Sequence, residues 1–117
     1  MRATVLLVDD DALIRSIGVA LLDALGYQAQ AVDCGAAALA VQERPDVVLL
    51  DDNLPDGTGV EFLRHLRGRW PMLPIVLCSG TIRLNAEALA EAGWSGALPK
   101  PYRVSAIEAV LAQVLNG

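Results

Sequence analysis

The run Val47-Val48-Leu49-Leu50 carries no polar residue on either side of its pleat, and this constrains the fold more than any other feature. Successive side chains of a strand point to opposite faces, so four aliphatics in a row must be covered on both. A sheet covered on both faces is built from parallel strands joined by crossover helices. The rest of the chain supplies these parts. Residues 4–8 form a second apolar run, and residues 27–32, 74–78 and 96–98 are further strand segments. Between them lie helical stretches at 12–25, 35–43, 60–67, 84–92 and 104–115. In the first, Leu13, Ile14, Ile17, Leu21 and Leu25 recur at helical spacing. Asp11 suits its N-cap and Gly26 its C-terminal stop, while Arg44-Pro45, Gly68 and Gly93 end the next three helices. Residues 53–59, with one Pro and two Gly, read as a loop. Five strands alternating with five helices predict one α/β domain over residues 1–117, a doubly wound parallel sheet.

Composition narrows the function classes. A hydrophobic fraction of 54%, carried by Ala, Leu and Val, argues against disorder. The longest apolar runs are too short to span a bilayer, and the N-terminus lacks the pattern of a signal peptide. A cytoplasmic location with no membrane insertion is therefore expected. A net charge of −5 argues against nucleic-acid binding by this segment, since phosphate neutralisation needs a basic face. Arg64, Arg67 and Arg69 are read as a solvated helix face, and the single His65 as a surface residue. Cys34 and Cys78 are too few and too far apart for a disulfide framework or a zinc site, and are read as reduced thiols.

In an open parallel sheet, ligands bind beyond the carboxyl ends of the strands. Asp9 and Asp10 follow the first strand, Asp51 and Asp52 the third, Ser79 the fourth and Lys100 the fifth. Several carboxylates, a hydroxyl and an ammonium thus meet on one rim. Two unit charges about 4 Å apart repel by about 4 kcal/mol at an effective dielectric near 20, so protons or a cation must relieve the carboxylates. Hard oxygens on a partly open rim suit Mg²⁺. Asp11 is assigned to helix capping. Asp52 is assigned to solvent, because strand alternation points it away from Asp51. A carboxylate beside Mg²⁺, with no adjacent base, suits direct attack on a phosphoryl donor.

These residues, in this order, resemble the receiver domains of response regulators in two-component signalling. The marks are Val8-Asp9-Asp10-Asp11, the run from Asp51 and Asn53 through Pro55 to Gly59, Ser79-Gly80, and Lys100-Pro101-Tyr102. The resemblance covers essentially the whole chain. It implies a flavodoxin-like (βα)5 fold with strand order 2-1-3-4-5, the order for which a chemotaxis receiver is a standard example. It also implies Asp51 as phosphoacceptor, with Ser79 and Lys100 holding the phosphoryl group. Asp10 and Asp51 would bind Mg²⁺ directly, Asp9 through water, and Asn53 through its backbone carbonyl. The Lys100-Pro101 bond would be cis. The donor would be a sensor histidine kinase or a histidine phosphotransfer protein, and the output surface the fourth helix, fifth strand and fifth helix.

Three departures stand out. Ala97 occupies the position, three before the lysine, that is usually aromatic in such domains. Ser79-Gly80 replaces the more usual Thr-Ala. Pro99 cannot donate to a ladder and fits only an edge strand. Ser-Gly together with Leu98-Pro99-Lys100-Pro101 is similar to receivers carried by hybrid sensor kinases. Two rivals are weighed. A haloacid-dehalogenase-type phosphatase wants a second Asp two positions beyond the nucleophile, where this chain has Asn53, and it wants room for a cap domain. A receiver-like module that no longer takes phosphate is opposed by the complete Asp9, Asp10, Asp51, Ser79 and Lys100 set. The chain is read as a signalling receiver rather than an enzyme.

Overall fold

A computed structural model describes residues 2–116. Its strands are β1 (Thr4–Val8), β2 (Gln28–Val32), β3 (Val47–Asp51), β4 (Ile75–Ser79) and β5 (Gly96–Pro99). They form one parallel sheet in the order 2-1-3-4-5. The helices are α1 (Ala12–Ala24), α2 (Gly35–Leu39), α3 (Gly59–Arg69), α4 (Ala86–Ala92) and α5 (Val104–Asn116). The sheet is the flavodoxin-like arrangement that the sequence predicts.

Strand alternation splits the core into two. Leu6, Val8, Val48 and Leu50 pack with Phe62, Leu66 and Leu89 of α3 and α4 on one face. Val5, Leu7, Leu49 and Cys78 pack with Leu22, Ile107 and Leu111 of α1 and α5 on the other. All of Val47 to Leu50 are inaccessible to solvent, as burial on both faces requires. The register brings strand ends level: Val8 lies beside Leu50, Asp51 beside Cys78 and Ser79 beside Pro99. Pro99 therefore ends an edge strand, where its missing N–H costs no ladder bond.

Caps explain most boundaries. Asp11 accepts from the backbone N–H groups of Leu13 and Ile14 at 2.9 and 3.2 Å, and Gly26 takes a φ of 92° behind α1. Thr58 and Glu61 form a reciprocal capping box on α3. The loop after β3 contains a small antiparallel ladder, Asn53–Leu54 against Gly57–Thr58. From that loop Asp56 accepts from Gly35 and Ala36 at the start of α2, at 2.9 and 2.8 Å, which holds its carboxyl below the usual range.

Several expectations are corrected. The second helix stops at Leu39, not 43, because Arg69 takes up carbonyls there: it donates to Leu39 at 3.0 Å, to Gln42 at 3.2 Å and to Val41. The third helix runs through Gly68 to Arg69, and Gly68 has no positive φ to stop it. Arg67 is a part-buried tether rather than a solvated residue, whereas Arg69 is exposed as expected but also bonded. Arg67 donates to Gly93 at 2.6 Å, to Pro71 at 3.3 Å and to Leu73, and Arg69 stacks 4.0 Å over Trp70. Arg64 and His65 are exposed. The fourth helix begins at Ala86 with Asn85 as its cap, leaving Leu84 outside.

Two glycines in α3 should respond oppositely to a methyl group. At Gly59 a Cβ would lie 2.8 Å from the Asp51 carbonyl oxygen and 3.0 Å from Asp52 Cα, backbone that cannot yield. At Gly68 it would meet nothing within 4 Å. Gly59→Ala is expected to lower the urea unfolding free energy by about 1–3 kcal/mol. Gly68→Ala is expected to raise it by about 0.5–1 kcal/mol.

Candidate functional site

The level strand ends gather the acidic residues. Asp9 follows β1, its N–H donates to the Val32 carbonyl at 3.1 Å, and its Oδ1 accepts from the Asp11 N–H at 2.9 Å. Asp51 is the last residue of β3 and Ser79 the last of β4. Lys100 is pinned beside them by its N–H, which donates to the Ser79 carbonyl at 2.9 Å, and the following bond to Pro101 is cis. Its Nζ lies 2.6 Å from Asp9 Oδ2 and 3.1 Å from Asp51 Oδ1. Asp9 and Asp51 are buried, while Asp10 is exposed.

One carboxylate oxygen from each of Asp9, Asp10 and Asp51 lies within 4.8 Å of the others. Buried Asp9 Oδ2 has no hydrogen-bond partner beyond its ion pair with Lys100. Three carboxylates therefore face one ammonium, and the surplus shows in Asp51. Burial pushes its carboxyl up to about 6; Lys100 opposes the rise, and the neighbouring carboxyls of Asp52 and Asp9 add to it. Burial alone would lower Lys100, but its contacts with Asp9 and Asp51 outweigh that and raise it above its ordinary value. Crowded hard oxygens with an uncompensated charge fit a divalent cation such as Mg²⁺.

The structure thus brings Asp9, Asp10, Asp51, Ser79 and Lys100 to one rim, with Asn53 two residues beyond Asp51 in the short ladder. Asp52 is exposed, as its assignment to solvent expects, but it also has a partner. Ser79 Oγ donates to Asp52 Oδ2 at 2.7 Å, which ties this exposed carboxylate to the end of β4. The Asp52 N–H donates to the Cys78 carbonyl at 3.2 Å, continuing the ladder in which Val48 donates to Pro74, so alternation puts Asp52 and Ser79 together on the face opposite Asp51 and Cys78. The available signal was the next strand's terminal hydroxyl, Ser79, a donor that needs an acceptor.

Comparison with known proteins agrees with this geometry. The family model described as "Response regulator receiver domain" matches residues 5–112. The chain is 36% identical over 117 residues to protein-glutamate methylesterase/protein-glutamine glutaminase 3 of Rhodopseudomonas palustris (strain BisB18), covering 94% of this chain and 32% of that protein. It is 32% identical to the KDP operon transcriptional regulatory protein KdpE of Escherichia coli (strain K12), covering 96% and 51%. The chain thus spans about a third to a half of these relatives. Among solved structures it is similar to the chemotaxis protein CheY4 of Vibrio cholerae, with 30% identity, a TM-score of 0.89 and coverage of 98% and 100%. It is also similar to the receiver domain of sensor histidine kinase PA1611 from Pseudomonas aeruginosa PAO1, with 25% identity, a TM-score of 0.87 and full coverage of both chains. That structure has a magnesium ion coordinated in its active site cleft. The fold and the site define a signalling module of two-component systems. The chain belongs to the response regulator receiver domain family.

The Asp51 shift has a sign in stability. A carboxyl raised in the fold binds its proton more tightly folded than unfolded, so stability is lost as pH rises from about 4 through about 6. In Mg²⁺-free buffer, Asp51→Asn should therefore be more stable than wild type above pH about 6, by about 1–2 kcal/mol. The gap should close as pH falls toward about 4, which urea titrations across pH would show.

Proposed function

We propose that Asp51 accepts a phosphoryl group from the phosphohistidine of a sensor histidine kinase or a histidine phosphotransfer protein, with Mg²⁺, and that its occupancy switches protein contacts. The observation that carries this reading is the Lys100 ammonium set between Asp9 and Asp51, 2.6 and 3.1 Å away, at the end of β4 where Ser79 sits. In this reading Asp10 and Asp51 hold Mg²⁺ directly, Asp9 holds it through water, and Asn53 offers its backbone carbonyl. The bound ion would neutralise part of the charge on the carboxylates and on a phosphoryl oxygen.

The chain's own residues do the remaining work. Asp51 is already an anion when ionised, so attack needs no base to remove a proton. An Asp51 oxygen bonds to phosphorus as the bond from phosphorus to the imidazole nitrogen breaks, and the imidazole leaves. Lys100 offsets the negative charge on the transferred group, and Ser79 is placed to donate to one of its oxygens. Positioning and charge balance are the main requirements of such a transfer. The product is an acyl phosphate, whose lability suits a transient signal.

Residues 1–117 would make up one receiver unit. Relatives that run to two or three times this length suggest that an effector lies elsewhere in the same or another chain. The proposed output surface is α4, β5 and α5. Ala97 lies there in a cleft of about 310 Å³ together with Ala86, Leu89, Ala90, Trp94 and Gln113. No helix among the described residues is long and apolar enough to cross a membrane, which is compatible with the cytoplasmic placement of such partners.

Incubation with acetyl phosphate and Mg²⁺ should add one phosphoryl group by intact mass, and Asp51→Asn or chelation of the metal should abolish the gain. Unchanged mass in wild type would sink the reading. Ala97→Tyr, which fills the cleft, should change partner affinity by more than it changes the phosphorylation rate, as parallel binding and labelling measurements would show.

A further inference from the structure

Ser79 has one hydroxyl proton, and the fold has already committed it. The Thr81 N–H donates to Ser79 Oγ at 3.0 Å, and Oγ lies 2.7 Å from Asp52 Oδ2. The Thr81 carbonyl, also at 3.0 Å, is the other acceptor in reach. A hydroxyl donates one hydrogen, and a bond to a carboxylate is shorter and stronger than one to a neutral carbonyl. The 2.7 Å contact is therefore the one that takes the proton. Ser79 is 3% exposed, so solvent offers no substitute partner. To donate to an oxygen on Asp51, Ser79 must first release Asp52.

We propose that Asp52 is a latch on Ser79: its carboxylate holds the hydroxyl in the resting protein, competes with the phosphoryl group for it, and is expelled when Asp51 is occupied. The inference rests on the reading of Asp51 as phosphoacceptor. Two further observations fit a side chain that swings on a fixed pivot. The Asp52 backbone is clamped at both ends, its N–H donating to the Cys78 carbonyl at 3.2 Å and its carbonyl accepting from the Gly59 N–H at 2.9 Å. The Asp52 residue is nevertheless exposed, so its carboxylate has water to move into. Expulsion would be driven both by loss of the hydroxyl and by repulsion from the anionic group on Asp51. Asp52 is a positioning residue in this scheme: it acts through Ser79 and sets how tightly the occupied state is held.

Beryllofluoride, a phosphoryl mimic, tests the latch when titrated with Mg²⁺ into wild type, Asp52→Ala, Ser79→Ala and the double variant, read by calorimetry or fluorine NMR. Asp52→Ala should tighten binding by about tenfold, the scale of one hydrogen bond to a charged group. In the Ser79→Ala background the same change should give a clearly smaller gain, because only charge repulsion is then relieved. Asp52→Asn, which keeps a carbonyl acceptor and the side-chain shape, should fall between wild type and Asp52→Ala. Equal gains with and without Ser79, or no gain on removing Asp52, would overturn the latch while leaving Asp51 as the acceptor. Failure of wild type to bind the mimic at all would overturn both.

Discussion

The Lys100 ammonium between Asp9 and Asp51 is the contact on which the rest of the site depends. It joins residues from three strand ends, and each is placed by something other than the ion pair. Asp9 is fixed by the Val32 carbonyl and the Asp11 N–H, Asp51 by β3 pairing, and Lys100 by the Ser79 carbonyl. A buried ion pair earns little net stability, because desolvation offsets the attraction. The geometry therefore has to be supplied by the sheet, and the sheet supplies it through apolar burial. Val47 to Leu50, inaccessible on both faces, hold β3 in register with β1 and β4, and that register brings the carboxylates level.

How much was legible follows from this division of labour. Uninterrupted aliphatic strands announce a sheet covered on both faces, and the residues directly after them announce the rim. Asp9, Asp10, Asp51, Ser79 and Lys100 could all be placed because each sits at a strand end, where topology alone decides position. The Asp52 contact could not, since alternation turns its side chain away from Asp51 without naming its partner, and Ser79 is distant in sequence. Arg67 and Arg69 escaped for a similar reason. Their periodicity fits a solvated helix face, but their guanidinium groups reach carbonyls at Gly93 and Leu39 that no local pattern reveals. Gly68 looked like a helix stop, whereas its position demands no left-handed backbone. Asp56 lies in the stretch read as a loop, and its carboxylate fastens that loop to the start of α2.

That loop is held more tightly than its Pro and Gly content suggests. Asp56 ties it to α2, Thr58 and Glu61 close the cap on α3, and Gly59 lets the helix start approach the Asp51 and Asp52 backbone with no room for a Cβ. The Trp94 ring adds a fourth restraint, its edge 3.4 Å from where that Cβ would stand. Trp94 also lines the cleft at Ala97. A buried ring in the turn between α4 and β5 thus lines the cleft and lies near the start of α3.

The charge balance of the rim sets how readily the buried Asp51 ionises. Burial raises its carboxyl toward 6, while Lys100 stops that rise from going further. Without the ammonium, burial and the carboxyls of Asp9 and Asp52 would favour a protonated acid, which is a poor nucleophile. With a second full positive charge built into the protein, the carboxylate would instead be too stable to need a cation. A single lysine shared between two buried aspartates lies between these limits, leaving a deficit that either a proton or a divalent ion can fill. In the transfer proposed above, only a filling that leaves an Asp51 oxygen unprotonated permits attack on phosphorus.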